Sequence, residues 1–196
     1  HKTNPYIKGV RKVLHSTNVK KGFCLSPEFQ RGIRKLGEVG LLFCLCVRPN
    51  ELKDVLELAE NCKETTFILD HCGNADPHII NDEKNLGDSK SPFFHRKQEW
   101  IDSITALGRQ KNVICKISGI AARLRKNSDI NILKQTIDFC LDAFDEDNII
   151  FGSDWPVCLY GCSLMEWTCS FRKILSSRNL KFHKKLCTKM LKRFFK

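Results

Sequence analysis

Short apolar runs punctuate this chain, and between them apolar residues recur at helical spacing. The runs cover residues 7–14, 41–47, 66–70, 113–118 and 149–152, and each predicts a strand. Residues 41–47 (LLFCLCV) show no polar alternation, as in strands buried on both faces. Ser26-Pro27 opens a helix with a capping side chain and a proline in the first turn. Phe29, Ile33 and Leu36 then share a face, and Gly40 is placed to stop the run. Further helices are predicted over 50–61, near 100–107, and over 130–144, where Leu133, Ile137, Cys140 and Leu141 align. Ser163 and Glu166 fit a capping box that opens a helix to about Leu175. Beyond Leu180, lysines alternate with Leu186, Leu191 and Phe194 in the pattern of an amphipathic terminal helix. The polar stretch 73–96 reads as a lid or a disordered insert. Strands and helices therefore alternate, which predicts an α/β fold with a parallel sheet or barrel.

Composition changes this picture little. A chain of 196 residues, 42% hydrophobic and 28% charged, suits one globular domain. The net charge of +11 is read as a solvated basic surface, since no nucleic-acid motif accompanies it. No apolar run has the roughly 20 residues that span a bilayer. The first residue is His1, not Met, and no secretory leader is visible, which predicts a processed chain or part of a longer one. The eleven cysteines include no C-x-x-C pair, so they read as small core residues of a reduced, cytoplasmic protein.

In parallel α/β folds, chemistry gathers at the carboxyl ends of the strands. Here those ends carry Asp70-His71-Cys72-Gly73, Ser118-Gly119 and Gly152-Ser153-Asp154-Trp155-Pro156, with Arg11 and Lys116 inside strands and Arg123 just beyond one. His71, Asp154 and a pair of these cations are thus expected to converge on one rim. Asp70 precedes His71 and is expected to face away from it. Lys116 is expected either to bind substrate or to pair with a buried carboxylate such as Asp154. Arg123 is expected to be an anion contact or an exposed loop arginine. His78 and His95 are expected to be solvated, and Trp155 and Pro156 to shape the turn that aims Asp154.

The segments FILDHCG (67–73), NVICKISG (112–119) and IFGSDWPV (150–157) together resemble signatures of the amidohydrolase-related family, in the subgroup of sugar-lactone and dicarboxylate-lactone hydrolases. KGVR (8–11) and FCLCVRP (43–49) fit the same template. The resemblance implies a (β/α)8 TIM barrel of the metal-dependent hydrolase type, with residues 1–196 supplying strands four to eight as one partial barrel domain. It implies a hydrolase that opens a cyclic ester, most simply a sugar lactone. Asp154 is then the general base or a metal ligand, His71 the group that polarises the carbonyl, orients the water or binds metal, and Arg11, Lys116 and Arg123 the substrate-binding cations. The family's His-x-His pair is missing, and 41–47 lacks a histidine, so a binuclear centre is not expected. One zinc-like divalent ion and a metal-free site both stay open. The expected partner is a small-molecule substrate, with neither nucleic acid nor membrane. Decarboxylation of a small unsaturated acid on the same fold, and a catalytically inactive remnant, are the alternatives.

Overall fold

The computed structural model describes residue 4 and residues 6–81 and 89–178. Five parallel strands form one sheet in sequential order: β1 (Gly9–Val13), β2 (Leu42–Cys46), β3 (Phe67–Leu69), β4 (Val113–Ile117) and β5 (Ile149–Phe151). All five predicted strands are present, each slightly shorter than its apolar run. The order 1-2-3-4-5 with a crossover at every step is that of five consecutive strands of a (β/α)8 barrel. Arg11, Cys44, Ile68 and Ile114 stand level across the first four strands, and Lys116 pairs with Ile150 of β5.

Helices start where the sequence places caps. The helix Pro27–Glu38 begins at Ser26, whose hydroxyl accepts from the Phe29 amide, and Leu164–Ser176 carries the complete Ser163–Glu166 capping box. Leu52–Asn61, Lys97–Gly108 and Leu133–Ala143 complete the main crossovers. One sheet face, through Phe43, Leu45, Phe67, Leu69, Val113, Cys115 and Ile149, packs with these helices into the main core. Trp100, Trp167, Phe67 and Leu58 are fully enclosed there, each contributing roughly 1.5–3 kcal/mol from lost apolar exposure. The opposite face holds a smaller cluster of Ile68, Ile114 and Ile150, flanked by Leu42 and Cys44. Many of the cysteines act as core residues, among them Cys24, Cys62 and Cys158.

Two expectations change. The stretch 73–96, expected as a lid or a disordered insert, is partly core over its described part: it forms the helix Pro77–Asn81, with Pro77 to Ile80 buried, and returns to the core at His95. His78 and His95 are accordingly buried rather than solvated. The apolar pair Ile79-Ile80 draws this short helix inward, and polar neighbours masked that signal. The expected amphipathic helix beyond Leu180 lies outside the described residues. Among the described residues, no helix is long and apolar enough to cross a membrane. At the two ends of the sheet, β1 is exposed along its whole length, and Trp155, Val157, Leu159 and Tyr160 are exposed beyond β5.

Candidate active site

Alternation along the strands puts Cys46, Asp70 and Lys116 on the face of the small isoleucine cluster, one step nearer the carboxyl ends. Asp70 is their centre. Its side chain is fully buried, with Lys116 Nζ 3.1 Å from Oδ1 and Arg11 Nε 3.0 Å from Oδ2. The lysine contact is a hydrogen bond, whereas the arginine contact is an ion pair without hydrogen-bond alignment. Asp70 therefore does not face away from the rim as expected, and Lys116 pairs with it rather than with Asp154.

The physical reason lies in the next residue. After Leu69 the chain stops being a strand and passes through four left-handed residues, His71, Cys72, Gly73 and Asn74, at φ 53–67°. Period-two alternation ends there, so Asp70 and His71 serve the same pocket instead of opposite faces. Left-handed geometry costs an L-residue roughly 1–2 kcal/mol. Tertiary bonds hold the turn against that cost. Trp100 Nε1 donates to the Cys72 carbonyl at 3.0 Å, and Asn74 Nδ2 donates to the Val47 carbonyl at 2.7 Å.

His71 Nδ1 lies 2.8 Å from Ser118 Oγ and 4.0 Å from Asp154 Oδ2. Nε2 lies 3.3 Å from Arg11 Nη2. An arginine can only donate, so whenever the ring is neutral this contact makes Nε2 the acceptor and leaves the proton on Nδ1. The same Arg11 nitrogen donates to Cys46 Sγ at 3.4 Å. Burial pushes the Cys46 thiol up, but bonding and charge from His71 and Arg11 outweigh it, and the thiol lies below its ordinary value. For Arg11, burial alone pushes downward, but the Cys46 bond and the Asp70 charge hold the guanidinium above its usual range.

Two glycines make room for this arrangement. A Cβ on Gly119, which itself sits at φ +67°, would meet His71 Nδ1 at 2.4 Å. On Gly152 it would meet Lys116 Cε at 2.8 Å, so the lysine crosses β5 over a bare backbone. Asp154 follows in the left-handed region, at φ 55°, a conformation that Asp tolerates better than most residues. Arg123 is no exposed loop arginine. It stacks on the Phe93 ring at 3.7 Å and donates to Asn74 Oδ1 at 2.8 Å, while its buried Nε meets no partner among the described residues. His78 and His95 stay outside the cluster. His78 Nε2 accepts from the Arg125 amide, and His95 Nδ1 donates to the Phe93 carbonyl.

Sequence reasoning gave no site role to Asp70, Cys46, Ser118 or Gly119, although it places all but Cys46 at strand ends. A usable signal existed for two of them: Ile68 to Asp70 and Cys44 to Cys46 keep one face. For a metal, His71 and Asp154 offer a nitrogen and a carboxylate 4.0 Å apart, and Cys46, Asp70 and His71 bring donor atoms within 4.8 Å of one another. Asp70 is the poorest donor of this set, because two cations already neutralise it. Clefts of about 380 Å³ beside Lys134 and about 580 Å³ beside Lys173 include neither His71 nor Asp154 in their walls.

A family model described as Amidohydrolase matches residues 3–173. The chain belongs to the amidohydrolase family. Among its relatives, the L-fucono-1,5-lactonase of Burkholderia multivorans is 28% identical over 166 residues, covering 82% of this chain and 52% of that enzyme. The L-fucono-1,5-lactonase of Burkholderia ambifaria is 24% identical, covering 79% and 48%. A solved amidohydrolase from Burkholderia multivorans with bound zinc superposes with a TM-score of 0.80 at 25% identity, covering 96% of this chain and 64% of the other. This amidohydrolase chain spans about half the length of the curated relatives it matches.

Proposed function

We propose that the protein carrying this chain hydrolyses a cyclic ester, a sugar lactone, at the rim formed by Asp154, His71, Arg11 and Lys116. The observation that carries the reading is the 4.0 Å separation of His71 Nδ1 and Asp154 Oδ2, a gap that one water can bridge. Asp154 takes a proton from that water as its oxygen attacks the lactone carbonyl carbon. The carbonyl oxygen becomes an oxyanion, which Arg11 and Lys116 are placed to stabilise as fixed cations. The tetrahedral intermediate then collapses, the ring C–O bond breaks, and Asp154 returns its proton to the leaving alkoxide. The product is an open-chain hydroxy acid.

In this scheme His71 is a positioning residue. Nε2 holds the Arg11 guanidinium, and Nδ1, shared between Ser118 and the water beside Asp154, faces the attacking oxygen, so His71 orients both rather than donating to the oxyanion. Arg123, its guanidinium stacked on Phe93 and held by Asn74 Oδ1, is a further donor for the substrate's hydroxyl or carboxylate groups. A divalent ion, as in the zinc-bound relative, would take His71 and Asp154 as ligands and would supply Lewis-acid polarisation of the carbonyl. The lactonase names of the two relatives support the substrate class.

The test is a panel of aldonolactones, followed by acid release, with the whole protein and with Asp154→Asn. Turnover of at least one lactone by the unaltered protein, lost in the variant, supports the reading. Equal turnover by both, or turnover of no lactone, overturns it.

A further inference from the structure

Behind the candidate active site, on the other side of the sheet, three thiols meet. Cys72 comes from the left-handed turn after β3, Cys115 from the middle of β4, and Cys140 from the helix Leu133–Ala143. Their sulfur atoms all lie within 4.8 Å of one another, and all three residues are fully buried. Elsewhere the chain buries Cys24, Cys62 and Cys158 outside any such group, so filling small core gaps does not require thiols to face each other. No C-x-x-C spacing announces the group. It exists only because the crossover from β4 brings Cys140 back over Cys115.

We propose that Cys72, Cys115 and Cys140 form a binding site for a single soft monovalent cation, Cu(I), in trigonal sulfur coordination. Thiolates select soft ions such as Cu(I) and zinc. Structural zinc sites almost always have four ligands, and the described residues supply no fourth donor to this group. A three-sulfur set therefore favours copper in its reduced state. Loading replaces thiol protons by metal–sulfur bonds, the protons pass to solvent, and the oxidation state of copper does not change. A sealed, dry setting excludes competing oxygen ligands. The bound ion ties the turn that carries His71 to β4 and to the helix Leu133–Ala143, so binding favours the folded state.

The experiment incubates the full chain anaerobically with Cu(I) buffered by a competing chelator, then records thermal melting and copper X-ray absorption. Binding of a single ion with sulfur-only coordination, and a melting temperature higher by at least about 5 °C at saturating ion, is the expected result. Cys140→Ala and Cys115→Val remove both effects, whereas Cys46→Ala, in the neighbouring rim, keeps them. An unchanged melting curve, or the same rise in both core variants, overturns the proposal. If neither core variant folds, the absorption spectrum of the unaltered protein decides. Nitrogen or oxygen in the coordination shell would place the ion at Cys46, Asp70 and His71 and reject the three-thiol site. None of these readouts depends on lactone turnover.

Discussion

His71 and Asp154 meet across an intervening strand: they leave the tips of β3 and β5, with β4 between them, yet Nδ1 and Oδ2 stand 4.0 Å apart. Both residues take left-handed backbone, at φ 60° and 55°, which turns each side chain toward the same space. Such strain is tolerated where the surrounding bonds over-determine it. If Asp154 is the base, Asp154→Asn preserves shape and hydrogen bonding while removing proton acceptance. A fall in kcat of about 10²–10⁴-fold with little change in KM is expected. Steady-state kinetics on the responsive lactone checks it, and a change confined to KM contradicts the assignment.

Asp70 is expected to matter more for the integrity of the rim than for chemistry. Its carboxylate separates two cations, and Asp70→Asn leaves Arg11 and Lys116 facing each other without compensation. Removing one member of a buried pair costs about 3–5 kcal/mol, discounted here to about 1–3 kcal/mol because Arg11 is 47% exposed. Denaturant melts should show that loss, and Lys116→Met in the Asp70→Asn background should recover part of it.

Much of this was legible in the chain itself. Five apolar runs, their helical separators and the capping signals at Ser26 and Ser163 locate every strand and the main helices, because hydrophobic period and caps are local properties. The rim residues Arg11, His71, Lys116 and Asp154 were legible too, through the rule that parallel strands end at the chemistry. Asp70 and Cys46 were legible only as period-two neighbours of Ile68 and Cys44. Bringing His71 into the same pocket as Asp70 requires knowing that the strand stops at Leu69, and the stop depends on tertiary bonds from Trp100 and Asn74 that no local pattern announces. His78 and His95 were misjudged for a related reason. A polar stretch looks solvated until Ile79 and Ile80 find a core to enter.

Gly119 tests how closely the imidazole is fitted. Gly119→Ala puts a methyl group 2.4 Å from Nδ1 and also strains a backbone at φ +67°. The ring must move, and displacement of about 1 Å at a reacting group can cost on the order of 10²-fold in rate. The expected outcome is a loss of kcat of that order with a stability loss of about 1–3 kcal/mol. Rates at full saturation, measured below the variant's melting point, separate the two effects. Unaltered kcat would show that the ring has freedom to spare.

Arg48 and Glu51 form a buried pair that serves folding rather than catalysis. Arg48 Nη1 lies 2.7 Å from Glu51 Oε2, its Nη2 donates to the carbonyls of Ser16 and Val19 at 2.6 and 2.8 Å, and Glu51 Oε1 accepts from the Gly22 amide at 2.9 Å. One ion pair thus fastens the loop after β1 to the end of β2. Arg48→Ala should cost about 3–5 kcal/mol, because it strands a buried carboxylate and two carbonyls. The double variant Arg48→Ala, Glu51→Ala should cost less than the sum of the single changes. Additive losses in urea melts would mean that the two residues act separately.

Acid sensitivity follows from three histidines that the fold prefers neutral. Burial is the first cause for His95, His78 and His15, lowering each below the ordinary 6.5, with added repulsion from Arg125 at His78 and from Arg123 at His15. Opposing this, the carbonyl bond of His95 and the Asp76 charge near His78 favour the protonated form without overcoming burial. Below about pH 6.5 the unfolded chain binds protons that the folded chain refuses, so stability rises with pH in that window. The contribution is complete above the unfolded value and drains away as pH falls through the lowered folded values. Carboxylates of ordinary pKa stay charged down to about pH 5, which leaves the interval from 6.5 to 5.5 to the histidines. Melting temperature should therefore hold steady from pH 7.5 to 6.5 and fall from 6.5 to 5.5, with a shallower fall in His95→Asn. A flat profile through pH 5.5, or an equally steep fall in the variant, would remove His95 from the account.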